Sequence, residues 1–184
     1  MPQITVVTGN PNKAKEIASI LHGLEVDFHS FNIPEIQSFE LEEVVRHKVQ
    51  AAFDVARGPV IVEDVSFQVS ALGNFPGPFV KFWENHVGYD VAVRIAEQAG
   101  DTTVTVRCGV GYADATQTIY AEGVVNGKLV SRRGGEGFGF DYYFIPDGAT
   151  ETFSEMGKDK KNQISHRFKA LHAMREKLSA SGVI

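Results

Sequence analysis

QITVVTGNPNK, residues 3–13, is typical of a β-strand that leads directly into a helix. Asn10 and Pro11 open the helix, because Asn is a good N-cap and Pro is tolerated at the first helical position. Backbone N–H groups at a helix start, together with the helix macrodipole, attract anions. Gly9 allows close approach and Lys13 adds a positive charge, so the segment has the features of a phosphate site. The alternative is a well-capped helix with a surface lysine, and the P-loop spacing of glycines and lysine is absent.

Helices alternate with strands in the first half of the chain, and a meander of strands follows. Helix 41–56 has the clearest periodicity, with its apolar residues along one face. Asn126-Gly127 is a strong turn signal that separates two expected strands. Strands are expected at 3–8, 25–30, 59–64, 102–113, 116–125, 128–132 and 143–146, loops at 33–39 and 72–81, and helices from residue 10, at 41–56, at 89–99 and along Ile164, Phe168, Leu171, Met174 and Leu178. This order predicts a mixed α/β fold with one twisted sheet.

The composition is that of one globular domain, since 184 residues are enough for a real core. A formal net charge of −5 argues against general nucleic-acid binding, although a phosphate can still be held by a few placed cations and a metal. No apolar run approaches the ~20 residues that span a bilayer, and we expect no signal peptide. The one cysteine, Cys108, allows no intramolecular disulfide and favours a cytoplasmic location. Its alternation with valines indicates core filling and not a nucleophile.

Two lysines further along the chain are candidate phosphate ligands. Lys48 lies in the apolar stripe of helix 41–56, where it loses solvation unless it reaches a cleft or an anion. The alternative for Lys48 is a side chain that extends from the edge of the stripe to solvent. Lys81 follows a Pro-Gly-Pro turn and by itself is a solvated surface residue.

Three acidic residues are candidates for metal binding or proton transfer. Glu63 and Asp64 end a buried strand, where ligands of open α/β sheets bind, and Glu35 lies in a loop. Carboxylates without a His/Cys cluster suit a hard ion such as Mg²⁺. Phosphoryl chemistry needs such a cation and a base or oriented water. We favour function for Asp64, whereas for Glu63 we favour a surface acid at the end of a strand.

The segments around residues 138–141 and 161–167 can hold a flat, polar heterocycle. Phe138 and Phe140 can stack on a ring, although each alone is more often a core residue. Asp141 can accept N–H bonds, and Lys161 and Arg167 can donate to exocyclic oxygens. His166 and Arg167 fall in the first turn of a helix that Ser165 can cap, where a cation is unfavourable and so invites an explanation.

These motifs, taken in order, closely resemble those of the inosine triphosphate pyrophosphatase family, over nearly the whole chain. The matching segments are Thr8-Gly9-Asn10 with Lys13, Pro34-Glu35-Ile36-Gln37, Val62-Glu63-Asp64, Phe75-Pro76-Gly77-Pro78-Phe79-Val80-Lys81, Phe138-Gly139-Phe140-Asp141 and Ser165-His166-Arg167. The resemblance implies a two-lobed α/β fold, with a long curved mixed β-sheet flanked by helices and an active-site cleft between the lobes. It implies that residues 1–184 form one nucleoside triphosphate pyrophosphatase domain, usually as a homodimer.

The resemblance also implies Mg²⁺-dependent hydrolysis of ITP, dITP or XTP to the monophosphate and pyrophosphate, with Mn²⁺ as a possible substitute for Mg²⁺. Thr8 to Lys13, Lys48 and Lys81 would hold the triphosphate. Glu35 and Asp64 would serve the metal, with Asp64 also the candidate general base. At the base end, Phe138 would stack, and the candidate contacts are Gly139, Phe140, Asp141, Lys161, His166 and Arg167. A 6-oxo group accepts from Lys161 and Arg167, whereas the amino group of adenine leaves donors facing a donor.

Three departures from the family pattern affect the expected substrate range. Val65 stands where a Ser or Thr is common, Phe140 where Trp or Tyr is usual, and Tyr142 where Pro is usual. Two alternatives therefore stay open: a non-catalytic nucleotide-binding module, and a pyrophosphatase for other modified nucleoside triphosphates.

Overall fold

The computed structural model describes residues 3–184, so the first two residues of the predicted domain lie outside it. The strands are β1 (Ile4–Val7), β2 (Val26–His29), β3 (Val60–Val69), β4 (Pro76–Gly77), β5 (Thr103–Ala113), β6 (Thr118–Leu129) and β7 (Phe144–Pro146). The helices are α1 (Pro11–Ile20), α2 (Leu41–Ala56), α3 (Val80–His86), α4 (Tyr89–Ala99), α5 (Gly157–Ile164) and α6 (His166–Ala180). Short 3₁₀ segments lie at Ser70–Leu72 and Gly139–Tyr142.

The strands form one mixed sheet, as predicted. Its order is β2-β1-β3-β5-β6-β7, and β4 pairs with β3 outside this path. β1 is parallel to both of its neighbours, with Ile4 opposite Val26 and Thr5 opposite Val60. β4 is antiparallel to β3, and β7 is antiparallel to β6. Within residues 3–184, no helix is long and apolar enough to cross a membrane.

The predicted turn at Asn126-Gly127 is wrong, because β6 continues through it to Leu129. A Cβ atom at Gly127 would lie 2.1 Å from the carbonyl oxygen of Ile145. Gly127 therefore lets β7 approach the strand closely, and it does not supply a turn. The strand predicted at 116–125 and the first two residues of the one predicted at 128–132 consequently belong to one strand, and residues 130–132 are not in a strand.

Two other predicted boundaries are also wrong. Ile164, predicted in the last helix, lies in α5, because the extended backbone of Ser165 (ψ 161°) separates α5 from α6. The last helix begins at His166, directly after Ser165, as predicted. The predicted loop at 72–81 contains β4 and the start of α3. The predicted helices at 41–56 and 89–99 are confirmed at both ends.

The chain forms two compact units, and three strands contribute residues to both. Unit 1 comprises the residues up to Asp64, Cys108–Gly123 and His166–Ile184, and unit 2 comprises Val65–Arg107 and Val124–Ser165.

The core of unit 1 lies where α2 packs on the sheet. Its buried members are Val7, Leu41, Val45, Val49, Ala52, Val60, Val62 and Ala113. Glycines bring helices close to strands: a Cβ atom at Gly109 would lie 2.9 Å from the Val45 side chain. A Cβ atom at Gly123 of β6 would lie 2.2 Å from the carbonyl oxygen of His166 and 2.4 Å from the amide nitrogen of Ala170. The first turns of α6 thus rest directly on the β6 backbone.

The core of unit 2 is rich in aromatic side chains. Phe140 stacks on Phe67 with ring centroids 4.7 Å apart, and it meets Tyr89 and Phe144 edge-on. Tyr89 also contacts Tyr143, with centroids 5.3 Å apart. The 3₁₀ segment Gly139–Tyr142 is anchored in this cluster through Phe140.

Candidate active site

The strand-to-helix junction at residues 8–13 has the predicted cap. The Asn10 side chain accepts hydrogen bonds from the backbone N–H of Asn12 at 2.9 Å and of Lys13 at 3.3 Å. The Asn10 N–H in turn donates to the Thr8 hydroxyl at 3.2 Å. A Cβ atom at Gly9 would come 3.3 Å from the Ser30 hydroxyl, so the glycine provides space in a tight turn. This cap fixes where the Lys13 side chain leaves the first turn of α1.

Lys13 and Arg167 meet at one buried carboxylate, that of Glu63. Lys13 Nζ lies 2.5 Å from Glu63 Oε1, and Arg167 Nε lies 3.2 Å from Glu63 Oε2. Arg167 also forms an ion pair with Glu16. We call Lys13, Glu16, Glu63 and Arg167 the buried charge cluster. The cluster explains the cation in the first turn of α6, because two carboxylates neutralise it.

Burial would raise the pKa of Glu63, but the positive charges of Arg167 and Lys13 hold that pKa well below its usual range. Burial likewise opposes the charge of Arg167, whereas Glu63 and Glu16 raise its pKa. Both groups are therefore ionised at neutral pH. The interpretation of Glu63 as a strand-end surface acid is wrong, because its residue exposure is 3% and β3 continues to Val69.

Cys108 lies in the core as predicted, and it also contacts the buried charge cluster. Its thiol is 3.3 Å from Glu63 Oε2 and donates to that oxygen. Burial and the neighbouring carboxylate raise the pKa of Cys108 well above its usual value. A thiol held protonated is a poor nucleophile, which agrees with the prediction of a core residue.

Lys48 reaches two anions, as its place in the apolar stripe required. Its Nζ lies 2.7 Å from Glu35 Oε1 and 3.2 Å from Asp64 Oδ2. Its side chain is only 13% exposed, so the alternative of a lysine that extends to solvent is wrong. Burial lowers the pKa of Lys48, but Asp64 and Glu35 outweigh burial and raise that pKa overall. Lys48 is therefore a fixed positive charge between two candidate metal ligands.

Glu35 and Asp64 are suitable in chemistry and number for Mg²⁺ bound together with a phosphate. In the part of the chain that the structure describes, no group of three or more His, Cys, Asp and Glu side chains could hold a metal ion. Mg²⁺ is commonly bound through one or two carboxylates, with water and substrate phosphates completing the shell. Two carboxylate oxygens gathered around one ammonium group match that pattern.

In unit 2, three of the predicted base-end residues lie together. Lys161 Nζ lies 2.7 Å from Asp141 Oδ2 and 4.6 Å from the centroid of the Phe138 ring. Asp141 Oδ2 also accepts the backbone N–H of Phe138 at 3.1 Å. Gly139 has a φ of +59°, which a side chain would strain. An aromatic face is thus fixed beside a buried ion pair.

The other predicted site residues differ from one another in burial. Phe140 is 9% exposed and packs in the aromatic core of unit 2. Lys81 is exposed on α3, and His166 is buried in the first turn of α6. Tyr142, which replaces the usual proline, donates its hydroxyl to the Gly137 carbonyl at 2.8 Å and stacks under Arg132.

Sequence reasoning did not identify Glu16, and it gave Glu63 the wrong environment. Both carboxylates are buried against Arg167, which is 151 and 104 residues away along the chain. The one available signal was position, because Glu16 directly precedes Ile17 in the apolar stripe of α1.

Comparison with known proteins covers nearly the whole chain. Residues 4–177 match the model of the Ham1 family. An inosine triphosphate pyrophosphatase of Candida albicans is 35% identical over 97% of this chain and 98% of its own length. The protein of the same name from Schizosaccharomyces pombe is 34% identical, over 98% of this chain and 97% of its own.

Solved structures share the fold. A HAM1 protein from Coxiella burnetii superposes with a TM-score of 0.84 at 24% identity, covering 98% of this chain and all of that one. The Ham1 protein of Staphylococcus aureus superposes with a TM-score of 0.83 at 22% identity, covering 97% of this chain and 99% of its own. The Ham1 family model matches residues 4–177, and relatives that share one name match nearly the whole length of the chain. The chain therefore belongs to the Ham1 family.

Proposed function

We propose that this chain is a nucleoside triphosphate pyrophosphatase that hydrolyses ITP, dITP and XTP to the monophosphate and pyrophosphate. The observation that carries the proposal is the buried Lys161–Asp141 ion pair held beside the Phe138 ring, a group that can recognise a flat 6-oxo heterocycle. Full-length relatives named inosine triphosphate pyrophosphatase support it. The activity would remove deaminated purines from the nucleotide pool, and residues 1–184 would act as one catalytic domain.

The triphosphate would be bound by Lys13, Lys48 and Lys81. Thr8, Gly9 and Asn10 form the capped turn that positions Lys13, and Lys48 is held as a cation by two carboxylates. Lys81 on α3 would add a third charge from a solvated position. Phosphate oxygens compete well for these ammonium groups, because charge-assisted hydrogen bonds to phosphate are strong.

A divalent cation, Mg²⁺ with Mn²⁺ as a possible substitute, would be held by Glu35 and Asp64. The ion would neutralise charge on the phosphate oxygens of the breaking anhydride bond. Asp64 is also our candidate general base: its carboxylate would accept a proton from the attacking water. Lys48 Nζ, 3.2 Å from Asp64 Oδ2, keeps that carboxylate oriented.

Base selection would follow from donor and acceptor complementarity. Phe138 would stack on the base, while Asp141, Lys161, His166 and Arg167 would contact its edge, His166 through its backbone. Lys161 and Arg167 donate only, so they match the 6-oxo group of hypoxanthine and xanthine. Adenine would leave buried donors unpaired, at a cost of about 1–3 kcal/mol each.

We also propose an assembly and a location for the protein. The family resemblance supports a homodimer. The absence of a second cysteine supports a reducing, cytoplasmic setting, and the net charge of −5 argues against a nucleic-acid partner.

A substrate panel with product identification tests the function. The protein is incubated with ITP, dITP, XTP and the common nucleoside triphosphates, with and without Mg²⁺ or Mn²⁺, and the products are separated. We expect pyrophosphate, metal dependence and a preference for the 6-oxo, deaminated purines. Release of orthophosphate, or equal rates for ATP and ITP, would contradict the proposal. Tight ITP binding without turnover would instead indicate a nucleotide-binding module.

A further inference from the structure

Glu63 joins two residues that our proposed function assigns to opposite ends of the substrate. Lys13 would bind the triphosphate, and Arg167 would contact the base. One oxygen of the Glu63 carboxylate lies 2.5 Å from Lys13 Nζ, and the other lies 3.2 Å from Arg167 Nε. A single rigid, planar group therefore faces both cations.

Burial makes this link strong. Glu63 is 3% exposed and Arg167 is 1% exposed, so neither charge can turn to water when a partner is lost. Removing one partner of a buried ion pair is strongly unfavourable, because it leaves an uncompensated charge. The two contacts on Glu63 must therefore respond to each other.

The partners of the two cations differ in number. Arg167 pairs with Glu16 as well as with Glu63, whereas Lys13, within residues 3–184, forms an ion pair with Glu63. Two cations and two carboxylates balance to zero net charge in the cluster. Withdrawal of Lys13 leaves two carboxylates and one guanidinium in the cluster, and Arg167 is then the remaining ion-pair partner of Glu63 within it.

We propose that Glu63 is a positioning residue that couples triphosphate binding to base selection, and this rests on the function proposed above. When phosphate draws the Lys13 ammonium away, Glu63 holds Arg167 more strongly and fixes its geometry toward the base. Linkage makes the effect reciprocal, so a base that engages Arg167 also changes the affinity of Lys13 for phosphate. The coupled residues are Lys13, Glu63 and Arg167.

The test measures kcat/KM for ITP and for ATP, and its readout is the ratio of the two. Lys13→Met removes one ammonium group from the phosphate end only. We expect it to change the ITP/ATP ratio by about 5-fold or more, the lower range of measured couplings between sites. Lys48→Met is the matched control, because Lys48 pairs directly with Glu35 and Asp64 and contacts Glu63 at its backbone oxygen, not at its carboxylate. It should lower both kcat/KM values by a similar factor and leave the ratio within about 2-fold.

Glu63→Gln provides the second arm. In that background Lys13→Met should no longer change the ITP/ATP ratio, because the connecting charge is gone. If Lys13→Met lowers activity on ITP and ATP equally in the otherwise unchanged protein, the coupling is refuted, even where Glu63→Gln does not fold. Failure of the unmodified protein to release pyrophosphate from ITP would refute the proposed function instead. In that case the same ratio, measured from ITP and ATP dissociation constants, still tests the coupling.

Discussion

Lys161 and Asp141 form an ion pair of 2.7 Å in which both side chains are almost completely buried. Lys161 Nζ lies 4.6 Å from the centroid of the Phe138 ring and 5.7 Å from that of Phe153. Asp141 also accepts the backbone N–H of Phe138, so the pair fixes the backbone at Phe138 as well. Stability and the proposed recognition of the base therefore depend on the same two residues.

Lys161→Met should destabilise the protein by about 3–5 kcal/mol, because it leaves the buried Asp141 carboxylate without its ammonium partner. The double variant Lys161→Met with Asp141→Asn should recover much of that loss, since no buried charge remains. Urea unfolding of the two single variants, the double variant and the unmodified protein measures the coupling. If the losses of the two single variants add up to the loss of the double variant, the pair contributes nothing as a pair.

Asp64→Asn should reduce turnover of ITP by a factor of at least ~10² while the protein stays folded, because a general base contributes about 10²–10⁴. The measurement is kcat for pyrophosphate release, with circular dichroism as the folding check. Glu42→Gln is a suitable control, since Glu42 is a half-exposed acid paired with Arg46 on α2. Near-normal activity of Asp64→Asn would remove Asp64 from the mechanism.

Lys48→Met should raise KM for ITP by about tenfold, which corresponds to the ~1.4 kcal/mol expected for one lost charge-assisted contact. The variant also releases Glu35 and Asp64 from their shared ammonium, so the required concentration of Mg²⁺ should shift. Initial rates over a grid of ITP and Mg²⁺ concentrations separate the two effects. A KM equal to that of the unmodified protein would exclude Lys48 from the triphosphate site.

Phe140→Ala should cost about 3–5 kcal/mol of stability, because the ring is buried against Phe67 and Tyr89. Phe82→Ala is the matched comparison: Phe82 is 57% exposed, and its loss should change stability by less than ~0.5 kcal/mol. Thermal and urea unfolding measure both. A Phe140 variant as stable as the Phe82 variant would argue that Phe140 is not a core residue.

Asp114 provides a prediction on pH. Burial would raise its pKa, but hydrogen bonds from Thr116, Tyr112 and Gln117 lower it to about 2. A lowered folded pKa means that the stabilisation is complete above the ordinary value of 3.8 and is lost as pH falls through about 2.

Asp114→Ala should therefore cost roughly 1 kcal/mol or less at pH 7, because the group is largely solvated, and the difference from the unmodified protein should shrink between pH 4 and pH 2. Tyr112→Phe removes a single donor, so its effect should have the same sign and be smaller. Free energies of unfolding at pH 7, 4 and 2 measure both variants. A constant gap for Asp114→Ala across this range would contradict the lowered pKa.

Local patterns predicted the elements whose signals come from neighbouring residues. The bounds of α2 were predictable from its periodic apolar residues, and the end of α4 was predictable from Gly100. The continuation of β6 through Asn126-Gly127 was not predictable. The local preference for a turn there is overridden by pairing with β7, which the glycine permits. Propensity is a weak prior when sheet packing opposes it.

The site residues also differ in how far the sequence could predict their partners. Lys48 could be identified because a cation in an apolar stripe requires an anion, and the structure supplies two. The partners of Arg167 could not, because they lie 104 and 151 residues away and their burial depends on the packing of the whole sheet. A single sequence shows which residue types are available for such a cluster, but it does not show which of them contact one another.

Gly123 is not itself a predicted substrate contact, yet the missing side chain there sets where α6 begins on the sheet. Even one methyl group at that position would push back the carbonyl of His166 and, with it, the turn that carries Arg167. A systematic screen for loss of function should therefore find Gly123 as intolerant as the charged residues themselves. Variants at this position would retain every functional group of the protein, but the position of α6 on the sheet, on which those groups depend, would be lost.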